Sequence, residues 1–318
     1  MSKISSQMKE EKQKYDANYI AYQMQGESEY AGKRLPSLEE SNQMIRSLLL
    51  LDSPCMIGRF GGNELKATVS GLYERYPIYN PIEYYHKSRE YRGLFDSAGF
   101  FPKKLNNIPK LAELMADSCK DVDLLGVWFN KYEDMIIERF ANQTQICPLR
   151  AIEPYYNMDD PWTDALTGKK VLVIHPFAET IQNQYKKRNV LFPNPNLLPD
   201  MNLKVLKSVQ TIGGMRDKRF KTWFDALDYM HKETRKIDFD IAIVGCGAYG
   251  FPLASMIKRD NKKVIHMGGA TQILFGIGGR RWDKHEVISS FYNEHWVRPS
   301  AEDTPPNLKI IEDNGCYW

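Results

Sequence analysis

Nowhere in the 318 residues do about 18 apolar residues follow one another, which excludes a helix that spans a bilayer. The opening stretch MSKISSQMKEEKQKYDANYIAYQ has no apolar run of signal-peptide length. An excess of one charge is also missing: 43 basic against 40 acidic residues leave a net +3, too even for wholesale nucleic-acid binding by counterion release. Cysteine is scarce. Cys55, Cys119, Cys147, Cys246 and Cys316 are odd in number and contain no C-x-x-C pair, so they form neither a disulfide framework nor a zinc site. The H-E-x-x-H, P-loop and G-x-S-x-G motifs do not occur, nor does an internal repeat or a low-complexity segment. The expectation is a cytoplasmic protein with no nucleic-acid partner and no transmembrane segment, whose contact with a membrane would be peripheral.

What is present is ordinary globular composition, 42% apolar and 26% charged, with 18 Tyr and 14 Phe as an aromatic surplus. The length exceeds that of a typical domain, so one large domain or one domain with additions is expected. Tyr15, Tyr19 and Tyr22 share a face of a predicted helix over residues 8–25. Ser37-Leu38-Glu39-Glu40 reads as a capping box that opens a second helix running to about residue 51. Short apolar runs predict buried strands at 54–60, 123–128, 170–175, 205–210, 240–244 and 264–267. Helical patterns lie at 108–119, 176–187, 218–236 and 252–259, with another restarting at Glu64. Residues 76–110 have little period, and 191–204 read as an extended loop. Strands alternating with helices imply an α/β, Rossmann-like fold: a mostly parallel sheet flanked by helices, with an N-terminal helical extension (1–52), a Rossmann-like domain (53–290) and a C-terminal tail (291–318). Such sheets bind ligands at the carboxyl ends of their strands.

Four strand-to-helix loops carry residues suited to chemistry. Gly58-Arg59-Phe60-Gly61-Gly62-Asn63-Glu64 combines a cation for a diphosphate, glycines that let backbone N–H groups approach a phosphate, and a carboxylate able to ligate a metal or act as a base. Gly245-Cys246-Gly247-Ala248-Tyr249-Gly250 resembles the glycine-rich turns of nucleotide-binding folds, including the first motif of S-adenosylmethionine-dependent methyltransferases. That motif expects an acidic residue at the end of the next strand, where this chain has His266. His266-Met267-Gly268-Gly269-Ala270-Thr271-Gln272, followed by Arg280 and Arg281, suits a phosphate or a sugar. In His175-Pro176-Phe177-Ala178-Glu179, either His175 or Glu179 is placed to act as a general base. Each has a plainer counterpart: an Arg59–Glu64 ion pair, a buried His266, helix caps at Thr271 and Gln272, surface charge at Arg280 and Arg281, and simple packing at Cys246. One shared site requires Glu64, Gly247 and Gly268 to converge on one cleft. Aromatics of the segment 73–91, with Trp128 and Trp162, are sugar-stacking candidates or plain core.

The loop IGRFGGNEL resembles the R-F-G-D-G-E loop of the GT-D fold glycosyltransferases, and KKVLVIHPFAE, DIAIVGCGAYGFPLASMIK and KKVIHMGGATQ follow that family's nucleotide-binding core in order. The resemblance implies a transferase that moves a sugar from a nucleotide-sugar donor onto a glycan, glycolipid or glycoprotein acceptor, as in surface polysaccharide biosynthesis. Under that reading the loops supply the donor-binding candidates Arg59, Gly61, Gly62, Asn63, Gly245, Gly247, His266, Gly268, Gly269, Thr271, Arg280 and Arg281, with Glu64 or His175 as the catalytic base. In that family a D-x-E pair is associated with Mn²⁺ or Mg²⁺; here Glu64 holds the glutamate position, while Gly62 stands where the aspartate would be. Two alternatives remain beside this reading: a methyltransferase or other Rossmann enzyme, and a non-catalytic binder of sugar nucleotides or glycans.

Overall fold

The computed structural model describes residues 28–73 and 81–318. The helix expected over residues 8–25 lies outside them. Seven strands form one parallel sheet: β3 (Met56–Gly58), β4 (Leu124–Val127), β5 (Gln145–Pro148), β6 (Lys170–His175), β7 (Asn202–Lys207), β8 (Ile241–Val244) and β9 (Lys263–His266), in the order β5-β4-β3-β9-β8-β6-β7. A small antiparallel hairpin, β1 (Glu29–Tyr30) with β2 (Lys33–Arg34), precedes it.

The sheet is buried on both faces, which is why its strands read as continuous apolar runs. Successive residues alternate between two cores: Met56, Leu172, Ile174, Ala242, Val244 and Val264 face one, while Ile57, Val171, Val173, Ile241, Ile243 and Ile265 face the other. Residues of the flanking segments enter the second core too, with Ile45 and Leu49 from the N-terminal side and Ile311 and Trp318 from the tail.

Several boundaries follow different physics from the sequence pattern. Ser37 Oγ caps the helix Leu38–Leu50 by accepting from Glu40 N at 3.1 Å, but the box is only half formed. Glu40 turns its carboxylate to Arg34 in a two-pronged pair at 2.6 and 2.7 Å, which competes with the reach back to the cap. The complete capping box lies at Thr222 and Asp225, opening Trp223–Thr234 inside the longer helix expected there. The last sheet-edge strand begins three residues earlier than the apolar run suggests, because Asn202 N pairs with Lys169 O and locks β7 beside β6. Neither β5 nor the helix Glu133–Phe140 is expected from the sequence pattern: β5 has only four residues, and the helix starts directly after left-handed backbone at Phe129 and Tyr132. The unpatterned middle contains the helix Pro81–Glu90 and a π-helical turn, Gly93–Ser97.

The sheet order also fixes the location of a site. The chain leaves β3 toward β4 and β5, whereas β9 is reached from β8, so the strand order reverses between β3 and β9. A crevice opens at such a reversal, outside the carboxyl ends of the strands.

Candidate functional site

A cleft of about 790 Å³ lies at that place, within the size range of small-molecule sites. Loops after β3, β4, β6, β7, β8 and β9 contribute to its wall, and Glu64, Gly247 and Gly268 converge on it as a single site requires.

Arg59, directly after β3, is the central cation. Its Nη1 donates to Phe60 O at 3.0 Å, its guanidinium lies over Trp128 at 5.5 Å, and Trp128 Nε1 donates to the same carbonyl at 3.0 Å. The guanidinium also rests on Gly268, whose φ is +65° and whose position leaves no room for a side chain. His266, at the end of β9, donates from Nδ1 to Arg59 O at 3.1 Å. Burial first, and Arg59 second, hold His266 down at about 3, so it is a neutral brace for the Arg59 loop.

The helix Gly62–Tyr73 starts two residues before the expected Glu64. Gly61 accepts Leu65 N at 2.8 Å and so caps it, and the Glu64 carboxylate folds back over Gly61, where any side chain would collide with it. The helix N-terminus therefore faces the cleft with a carboxylate in its first turn. Burial raises the Glu64 pKa, with the Arg59 charge opposing. The ion pair expected as the plain alternative is not formed at contact distance, so the two groups share a field without neutralising each other. Asn63 is packed against Gly93 across the cleft.

For a resident Mg²⁺ or Mn²⁺ the donor set fits poorly. Gly62 supplies no carboxylate, Glu64 is the loop's single one, and among the described residues no group of three His, Cys, Asp or Glu side chains is placed to hold an ion. No catalytic step is derived from a metal.

His175 closes β6 and lines the cleft, 2% exposed. Its Nδ1 accepts from Phe177 N at 3.0 Å, and burial keeps its pKa down at about 3. The one lone pair of the neutral ring is thereby engaged, and the proton sits on Nε2. His175 is a hydrogen-bond donor and not the general base expected. Glu179 is exposed and absent from the cleft wall.

The remaining expected residues separate into two groups. Gly61, Gly62, Asn63, Gly245, Gly247, Gly269 and Arg281 line the cleft with Arg59 and Glu64. Arg280 is exposed outside it, donating to Asn314 O at 3.3 Å. Thr271 is fully buried behind Gly245, where its hydroxyl leaves no space for a side chain. Gln272 does reach the wall and ties down the tail, donating to Tyr317 O at 3.1 Å. Cys246 lines the wall, but burial pushes its thiol pKa far up, so it supplies no thiolate. Of the stacking candidates, Trp128 is in the wall; Trp162 is core, bonded to Ile152 O at 3.2 Å, and Tyr91 is buried.

Other wall residues had no motif to announce them. Asn130 enters from the loop after β4, which is held from beneath by Glu133: fully buried, its Oε2 accepts from Trp128 N at 3.1 Å and Asn130 N at 3.2 Å. Burial pushes Glu133 up to about 8 against those N–H groups. From the tail come Ile311, Glu312, Tyr317 and Trp318. Glu312 pairs with Arg281 at 3.0 Å, and Arg281 lies over the Tyr317 ring at 5.0 Å. Arg59 rests on Gly268 and Tyr317 on the adjoining Gly269, so the two cations flank one end of the cleft.

No family model and no curated protein matches this sequence. Two solved structures are similar to it, one described as "The highly conserved domain of unknown function 1792 has a distinct glycosyltransferase fold" and the other as a selenomethionine-substituted structure of domain of unknown function 1792. In each comparison the identity is 11%, the TM-score 0.45, and the match covers 86% of this chain and 93% of the other.

Proposed function

We propose that the cleft binds a nucleoside diphosphate sugar and transfers the sugar to a hydroxyl of a glycan, glycolipid or glycoprotein acceptor. The observation that carries this reading is the grouping of Arg59, Arg281 and the N-terminus of the helix Gly62–Tyr73 at the reversal point between β3 and β9. Two guanidiniums and a helix N-terminus neutralise a diphosphate as its bond to the anomeric carbon breaks. The acceptor oxygen forms the new bond to that carbon and gives its proton to Glu64, whose raised pKa and place in the wall suit a general base. Because the donor set lacks a second carboxylate, the diphosphate is neutralised by these cations without a divalent ion. The motif resemblance extends the proposal to surface polysaccharide assembly in the cytoplasm, and the five buried, unpaired cysteines agree with a reducing compartment.

The test is a screen of UDP- and GDP-sugars for release of the nucleotide, with and without acceptor glycans, in EDTA and in Mn²⁺. One donor should be turned over in EDTA, and Glu64→Ala should lower kcat by about 100-fold or more while leaving nucleotide affinity within a few-fold. If no donor is consumed and S-adenosylmethionine alone raises the melting temperature, the reading is wrong.

A further inference from the structure

Charge is distributed unevenly around the cleft. The charged wall residues are Arg59, Glu64, Arg92, Arg281 and Glu312, none of which follows β6, β7 or β8. On that opposite side the wall is made of neutral groups, among them His175, Phe177, Ser208, Gln210 and Cys246. His175 and Ser208 sit side by side at the ends of neighbouring strands, since Ser208 N donates to His175 O at 3.2 Å. Ser208 is 5% exposed, and its Oγ is buried with no hydrogen-bond partner. Nearby Thr211, by contrast, is already engaged with Gly99 O and, at 3.1 Å, with Tyr249 OH. A buried hydroxyl left unpaired costs free energy unless a ligand completes it.

We propose that this neutral side is the subsite for an uncharged polyhydroxylated ring, the sugar of the donor, with Ser208 Oγ and the His175 Nε2–H as the groups that read its hydroxyls. The inference rests on the donor reading above. A charged ligand group would meet no countercharge here, and a purely apolar one would leave both polar groups unsatisfied. A sugar offers hydroxyls to Ser208, His175 and Gln210 and C–H faces to Phe177 and Val209, which lie in the same wall. Ser208 is thus a specificity residue that carries no charge and contributes nothing to diphosphate binding.

The experiment is calorimetric titration of wild type, Ser208→Ala and Gln210→Ala with UDP, UDP-glucose, GDP and GDP-mannose, beside a melting curve for each protein. Ser208→Ala should bind the preferred sugar nucleotide about five- to tenfold more weakly, the scale of one hydrogen bond. Affinity for the bare nucleotide and the melting temperature should not fall, because the hydroxyl has no partner within the protein. Gln210→Ala should lose in the same direction. Equal losses for nucleotide and sugar nucleotide would assign this side to the nucleotide and overturn the subsite, as would no loss for either. Wild-type protein that binds none of the four ligands would overturn the donor reading, and this inference with it.

Discussion

The two sides of the cleft come from the same kind of element, a loop after a buried parallel strand, yet they differ in chemistry and in how they are held. Around β3 and β9 the two central cations are braced: Arg59 by Trp128, Gly268 and the carbonyl bonded to His266, Arg281 by Glu312 and Tyr317. Around β6 and β7 the wall is neutral, and Ser208 Oγ is left without a partner, as are Asn130 Nδ2 and Gln272 Oε1 elsewhere in the wall. The difference teaches that a site can hold its central cations in a preset geometry, where a developing charge needs them without reorganisation, while leaving neutral polar groups open for the ligand to satisfy.

The largest effect that would break this comparison is loss of the central cation. Arg59→Ala should lower kcat/KM for donor consumption by about 100-fold or more, and Arg59→Lys should recover only part of it, because a point charge replaces a planar fork stacked on Trp128. Steady-state kinetics with the preferred donor checks this; a variant within threefold of wild type would remove Arg59 from the diphosphate site.

Next in size is the support beneath the loop after β4. Glu133→Ala should cost about 2–4 kcal/mol, since it orphans buried backbone N–H groups and leaves a cavity. Glu133→Gln separates the support from its titration. The folded pKa of about 8 lies above the ordinary 4.5, so the folded state retains a proton that the unfolded state has lost between those values. Stability from this group is complete below about pH 4.5 and declines as pH rises toward 8. The Gln variant should lack that decline, and melting curves from pH 5 to 9 that run parallel for both proteins would refute it.

The smallest effect expected comes from Gly62. A Cβ there would meet only Asn130 Oδ1, at 3.4 Å, so Gly62→Asp fits and restores a second carboxylate on the charged side. Nucleotide affinity should become a few-fold stronger in Mn²⁺ than in EDTA, a response not expected of wild type. A wild-type response of equal size would show that Glu64 alone recruits the ion.

Much of the architecture was legible because strands buried on both faces leave continuous apolar runs: Val171 to Ile174 and Ile241 to Val244 could be read directly as strands. β5 escaped because it is only four residues long, opening on the exposed Gln145 and closing on Pro148, too short for a periodic signal. The charged side of the cleft was readable at Arg59 and Glu64, whose loop has a motif. The neutral side was not: Ser208 and Gln210 are common residue types after an edge strand whose start was misplaced. Arg280 and Arg281 looked equivalent in sequence, and only the course of the tail sends one to the cleft and the other to solvent.

What the sequence determined by itself was local: the strands buried on both faces, where the glycines permit close approach, and that Gly62 brings no carboxylate. Tertiary structure decided the rest. Strand order placed the reversal between β3 and β9, the bond from Phe177 N took the lone pair that would have made His175 a base, and the returning tail brought Glu312 and Tyr317 to Arg281. The reason is physical: a residue's type fixes what it can donate or accept, but its partner is set by neighbours distant in the chain, and burial then sets its charge.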